Sequence, residues 1–497
     1  MDLRITRVTW AGALALAGAL ALSAGVQAKE PTRAELEERI RRLERIIEQR
    51  GLDAPPPPGA PPARAVPAAE PAAPPLEQST VEAIVDEKLR KQKVLAGWKD
   101  GFFLESASGD FKLKLRGYTQ VDWRNFPVNG GQTNSDSIFL RRVRPILEGT
   151  VYKYFGFRIM PDFGGGSTTL QDAYIDVTYF APWAKLRGGK FKPPLSLERL
   201  QSATDILFIE RSLANSLAPS RDIGFQLSGD VYDGLLTWQA EYANGSVDGG
   251  LNDGDTSSNK EGIGRVFGHP FKPLGVPALA NLGLGVAGSY GYPEQGDNEE
   301  GDNVGTQLRY RTTGRATWFR YASSSTVNIL ADGRRWRIIP QAYWYWGPFG
   351  FMAEYLLSSQ QLKRVDTKAE TETYGDFTNS GWFAQASWVL TGEDNSFTGI
   401  TPINPFDPWN GRWGAFELGA RGGWVDIDDA TFEEGFATLG QSASKATQYG
   451  VALNWWLNRA VRISLDYEHT NFDVPVLFGS EDRRYEDVLL LQLQLGF

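Results

Sequence analysis

The chain has no cysteine among its 497 residues, which excludes a disulfide framework, a thiolate metal centre and a cysteine nucleophile. It has two histidines, His269 and His469, too few for a multi-histidine metal site. No apolar run is long enough for a membrane helix: the stretch Ala11 to Leu22 spans 12 residues, where about 20 are needed. Cationic charge is also in deficit, 51 Lys and Arg against 60 Asp and Glu. The net charge of -9 argues against general nucleic-acid binding. What the chain does have is 16 Trp, 18 Tyr, 27 Phe and 54 Gly. Many aromatics and glycines without a long apolar run indicate an all-β protein, and a transmembrane antiparallel β-barrel fits this size.

Residues 1–28 read as a secretory signal peptide: Arg4 and Arg7 are basic, Ala11 to Leu22 is apolar, and Val26-Gln27-Ala28 offers small residues for cleavage. Export of a cysteine-free chain suits the periplasm or the outer membrane. In 29–53, Thr32-Arg33-Ala34-Glu35 forms a capping box, and Leu36, Ile40, Leu43 and Ile47 follow at spacings of 4, 3 and 4. That is the seam of a short coiled-coil helix, with a surface helix as the alternative. The linker 54–78 carries ten of the 28 prolines between Ala54 and Pro75, so it is extended and semi-rigid. A second short helix is expected over 79–96.

From 97 to 497 the hydrophobic period becomes two. Phe111, Leu113, Leu115, Gly117, Thr119, Val121 and Trp123 alternate with Lys112, Lys114, Arg116, Tyr118, Gln120, Asp122 and Arg124. Successive side chains of a strand project to opposite faces, so an apolar face opposes a charged one. Ala173 to Tyr179 and Val461 to Tyr467 repeat the pattern, and Leu489, Leu491, Leu493, Leu495 and Phe497 carry it to the carboxyl terminus. Short turns such as Leu457-Asn458-Arg459-Ala460 alternate with long polar loops such as 244–262 and 291–305. Together these features predict an outer-membrane barrel of about 16 strands, at roughly 25 residues per strand and connection.

Catalytic signatures are missing. His269 and His469 stand in no nucleophile motif, and no glycine-rich phosphate loop is found. The acidic runs Asp297 to Asp302 and Asp426 to Asp429 lack the spacing of a calcium loop. No enzyme activity, metal or cofactor is expected. Arginine stands out instead. In Leu140-Arg141-Arg142-Val143-Arg144-Pro145, Arg142 and Arg144 share a face with Glu148 and Thr150. Arg141 is out of phase unless a bulge or the rim accommodates it. Arg309 and Arg311 share a face further on, with Arg315 and Arg320 nearby. Guanidinium in hydrocarbon costs several kcal/mol, so these groups should face water, and a ring of them inside a pore favours anions. The planar fork suits phosphate-like oxyanions.

At these residues the sequence resembles the phosphate-selective porin O and P family. The matching stretches are Phe139 to Phe163, Leu170 to Ala173, Gly189 to Arg211, Asn281 to Leu284 and Gly381 to Glu393, in order along the barrel. The resemblance implies a homotrimer of 16-stranded barrels in outer-membrane lipid, with loop three, 193–221 here, folded into the lumen. It also implies anion-binding roles. Arg141 and Arg142 match the paired wall arginines, and Arg199 stands where phosphate-specific members carry a loop lysine. Ser202 matches a loop serine, Arg211 the arginine of the narrow zone, and Arg309 and Arg311 the start of an arginine ladder. Three departures stand out: Tyr118 in place of a first-strand arginine, Ala203 in place of a second loop serine, and Arg144 in place of a tyrosine. They keep the pore basic and leave its preference among anions open.

The expectation is therefore a bacterial outer-membrane channel for passive, anion-selective diffusion of phosphate or polyphosphate. The site residues would be Arg141, Arg142, Arg144, Arg199, Ser202, Arg211, Arg309 and Arg311, and the amino-terminal helix a spacer or a tether to the cell wall. The alternatives are a general or sugar-selective porin, and a structural outer-membrane protein held to the cell wall.

Overall fold

The computed structural model describes residues 94–127, 133–251, 253–255, 258–292 and 309–497. The signal peptide, the coiled-coil helix, the linker and residues 79–93 lie outside them. Among the described residues, eighteen strands form one antiparallel sheet; two belong to an amino-terminal hairpin and the other sixteen close into a barrel. Closure joins the first barrel strand, Lys112–Asn125, to the last, Glu481–Gly496, in a register running from Asn125↔Leu489 to Tyr118↔Gly496.

The period-two pattern explains the closure. Gln120, Asp122, Asp466, Glu468, Gln492 and Gln494 point inward and are buried, whereas Leu113, Leu115, Ile138, Leu140 and Ile175 point outward and are exposed. An open sheet edge in lipid would leave backbone groups unpaired at several kcal/mol each, so a strand set that is apolar outside must close. Short turns such as Leu457–Ala460 mark the end of the barrel that holds the carboxyl terminus, and the long loops mark the other. The segment 390–414 is an exception, a long connection at the short-turn end, fastened by Phe406 N–H to the Leu457 carbonyl (2.6 Å).

The strand Val94–Trp98 pairs with Phe102–Ser106, which pairs with the first barrel strand beyond the point where the last strand ends. This corrects the expectation of helix up to residue 96: residues 94–96 belong to the sheet. A short apolar run does not reveal its period, and pairing with a neighbouring strand decided the outcome.

Loop three, residues 192–221, enters the barrel and is gripped by inward polar side chains of the far wall. Glu354 accepts hydrogen bonds from Ser196 Oγ (2.8 Å) and from the amides of Leu197 (2.6 Å) and Glu198 (3.1 Å). Asp466 accepts from the amide of Ile209 (2.6 Å) and Gln448 from that of Leu213 (3.1 Å). A second inner element, the hairpin Arg309–Arg311 with Thr317–Arg320, comes from the loop before the strand Val327–Trp346. Leu213, Leu217, Tyr310, Trp318 and Phe319 from these loops, with Phe436 from the connection after the strand Ala415–Asp426, pack on inward Ile339, Met352, Leu356, Phe377, Phe383 and Val425. An apolar core thus fills one side of the lumen.

Replacing Glu354 with Ala would leave three buried donors of loop three without acceptors, at about 1–3 kcal/mol per group. Limited proteolysis of folded Glu354→Ala in detergent should cleave within 192–221 while the barrel stays intact; protection equal to wild type would refute this anchoring.

Candidate functional site

Between loop three and the wall formed by the first barrel strands lies a cavity of about 980 Å³. Trp98, Asp100, Ala460 and Phe497 line it at the carboxyl-terminal end of the barrel, and Arg141 and Arg142 line it deeper in the lumen. Twelve arginine and lysine side chains face it, against four carboxylates, Asp100, Glu148, Asp172 and Asp205. The local charge is therefore opposite in sign to that of the whole chain.

The wall arginines follow from strand parity with one irregularity. In the strand Ser137–Val151, Arg142 pairs with Gln120 while Leu140 pairs with Val121, so Arg141 is the extra residue of a bulge. The bulge lets consecutive arginines both reach the lumen. Arg141 forks onto Glu210 of loop three with bonds of 2.6 and 2.9 Å. Arg142 donates to Gln120 Oε1 (2.7 Å). Arg144 bonds Asp162 (2.7 Å) and the Tyr118 hydroxyl (2.8 Å). Tyr118, one of the departures from the family pattern, thus acts as a prop for an arginine.

Loop three contributes the opposite side. Ser196 caps the short helix Leu197–Leu200 by accepting from the amide of Arg199 (3.1 Å). The Arg199 guanidinium donates to the carbonyls of Asn215 (2.9 Å) and Ala218 (3.3 Å). Arg211 donates to the carbonyls of Glu198 (2.9 Å) and Gln201 (3.0 Å). Ser202 Oγ lies 2.8 Å from Thr204 Oγ1 on the same cavity. Lys192 donates to the carbonyls of Leu200 (3.1 Å) and Gln201 (2.9 Å). Among the described residues, no ion pair joins Lys192, Arg199 or Arg211 to a carboxylate. Burial, reinforced by Arg221, presses the Arg199 pKa down to about 10. Burial and the neighbouring Arg199 press that of Arg211 to about 9. Burial, with Arg221 and Arg211 close by, moves Lys192 well below the usual lysine value. These cations are short of negative charge, and an oxyanion with several acceptor atoms would supply it.

The structure brings Arg141, Arg142, Arg144, Arg199, Ser202 and Arg211 around this cavity and leaves Arg309 and Arg311 outside it. Those two arginines lie on the inner hairpin, exposed, on either side of buried Tyr310. The strong pull of Tyr310, Trp318 and Phe319 into the core turns their alternating neighbours toward water at the long-loop end, so they form no ladder on the barrel wall. Sequence reasoning missed Lys192, Arg116, Arg158, Arg187, Arg221 and Arg459, all on the cavity. Several are offset by carboxylates: Arg116 by Glu148 (2.8 Å), Arg187 by Asp176 (2.7 Å) and Arg221 by Asp172 (2.6 Å). The polar parity of Arg116 was legible in the alternating first strand. Lys192 and Arg221 lie in a loop without a period. The histidines stand apart from the cavity. His269 bridges the Gly234 carbonyl and the Tyr343 hydroxyl, each at 2.9 Å, and His469 bonds Asp487 (2.7 Å).

The chain is 26% identical over 401 residues to Porin O of Pseudomonas aeruginosa, covering 76% of this chain and 86% of that one. Among solved structures, it resembles the outer-membrane channel DcaP of Acinetobacter baumannii at 10% identity and a TM-score of 0.48, over 81% of this chain and 100% of that one. It also resembles an anion-selective porin from Comamonas acidovorans at 12% identity and a TM-score of 0.44, over 78% and 100% of the two chains. The family model described as phosphate-selective porin O and P matches residues 111–497, which is the whole closed barrel. The chain therefore belongs to the phosphate-selective porin O and P family and is a porin of the bacterial outer membrane.

Proposed function

We propose that the protein conducts small oxyanions passively, with phosphate or polyphosphate as cargo, and that Lys192, Arg199 and Arg211 hold the anion against Arg142 and Arg144. The observation that carries this reading is the bonding of those three loop cations: each is half-buried on the cavity and donates to main-chain carbonyls, with no direct ion pair to a carboxylate among the described residues. Carbonyl oxygens fix the geometry of a cation without cancelling its charge, so the cavity stays positive and its donors stay aimed. Passage needs sites attractive enough for entry and weak enough for release, and several cations in series provide that. Ser202 adds a hydroxyl donor at the same wall. The porin works as a homotrimer in outer-membrane lipid, and the segment before Val94 serves as a periplasmic spacer or a tether to the cell wall.

Two measurements test the site. In planar bilayers under a KCl gradient the reversal potential should report anion selectivity, and Arg211→Ala should raise the phosphate concentration needed for half-block about tenfold, the loss of one charge-assisted contact. Unchanged block in that variant would remove Arg211 from the site. In a chain free of cysteine, Ser202→Cys gives a single reporter. It should react at least about tenfold faster with an anionic than with a cationic methanethiosulfonate of similar intrinsic reactivity, since a positive cleft concentrates anions. Equal rates would mean that the cavity carries no positive potential.

A further inference from the structure

Glu210 stands next to Arg141 and Arg142, which line the cavity, in a cluster of arginines that it shares with the carboxylate of Asp122. Its carboxylate takes both prongs of Arg141, at 2.6 and 2.9 Å, and reaches Arg124 at 3.2 Å and Arg142 at 3.9 Å. Arg315, on the turn of the inner hairpin, also feels its charge. The main chain at Glu210 is pinned: Asp466 holds the amide of Ile209 at 2.6 Å, and Arg421 donates to the Glu210 carbonyl at 2.9 Å. Only the side chain is left to move, and it retains 12% exposure. Arg141 and Arg142 themselves line the cavity. The carboxylate therefore occupies the fork that an anion leaving the loop-three cations would meet next.

We propose that Glu210 is a tethered competitor for the permeating anion, a specificity-setting carboxylate that swings into the Arg141 fork and speeds the anion's release. This rests on the anion-channel reading above. A covalently held carboxylate competes at a high local concentration, so it lowers the affinity of the arginine cluster for every free oxyanion without removing the positive field that attracts them. With four arginines nearby and no such competitor, an oxyanion would be held too long for conduction, because a conducting site has to bind weakly enough to let go. The side chain is thus placed to trade affinity for throughput.

The test is single-channel recording of the full-length Glu210→Gln porin in planar bilayers, with inorganic phosphate as the probe in a KCl background. Glutamine keeps the size and removes the charge. The half-blocking phosphate concentration should fall about tenfold, and the phosphate current at saturation should fall with it, while the reversal potential stays anion-selective. Glu210→Asp keeps the charge but shortens the reach, so it should shift block in the same direction by a smaller factor, and it stands in if the glutamine variant fails to assemble. An unchanged or raised half-blocking concentration in the assembled variant overturns the competitor role. Cation selectivity of the wild type would instead overturn the anion-channel reading, so the two failures are distinguishable.

Discussion

The hydrogen bonds between the first and last barrel strands are the constraint on which the rest depends. In hydrocarbon an unpaired amide has no water to turn to, so the sheet is viable only as a closed ring. The two ends do not match in length. The last strand stops opposite Tyr118, where Gly117 and Phe497 exchange amide bonds of 2.8 and 2.9 Å. Residues before Gly117 would be left as an edge, and the hairpin of Val94–Trp98 and Phe102–Ser106 takes up that pairing. Its Trp98 and neighbouring Asp100 then stand at the cavity. Closing the ring and shaping the periplasmic mouth are consequences of one mismatch.

Closure also decides how charge is handled. With apolar side chains committed to the outside, the inner wall is polar by parity, and each buried polar group needs a partner. Far-wall Glu354, Gln448 and Asp466 find theirs in the amides of loop three. Near-wall arginines find theirs in carboxylates or, at Glu210, in a shared one. Loop three is thus held by hydrogen-bond acceptors on one side and presents positive groups on the other. It transfers the imbalance of the wall into the passage.

Much of the barrel was legible in the sequence because parity is a local signal. Fourteen alternating residues from Phe111 to Arg124 specify which face meets lipid, and the same alternation to Phe497 marks the closing strand. The break of phase at Arg141 was legible too, and the pairing of Leu140 with Val121 and Arg142 with Gln120 resolves it as a bulge. The site was legible only where it lay on strands or matched the family's loop residues. Lys192 and Arg221 had no periodic frame, and what makes Lys192 informative, its donation to the carbonyls of Leu200 and Gln201, is a property of the folded loop. Arg309 and Arg311 were misread for the converse reason: alternation around Tyr310 looks the same in an inner hairpin as in a wall strand. The short strand at Val94 was too brief for its period to separate it from helix.

The apolar core inside the lumen gives this membrane protein two interiors with different solvents. The outer surface exchanges contact with other strands for contact with lipid tails, which changes hydration little. The inner core of Trp318, Phe319, Leu213 and Phe436 exchanges contact with water, as the core of a water-soluble globule does. Hydration of apolar surface raises heat capacity, by about 0.45 cal/mol/K per Å². Releasing loop three and the inner hairpin from the wall would therefore carry a positive heat-capacity change, while the ring around them stays closed. The lumen filling would loosen in the cold as well as in the heat, on a stability curve of its own, so the bore of the passage is coupled to temperature through water and not through the membrane.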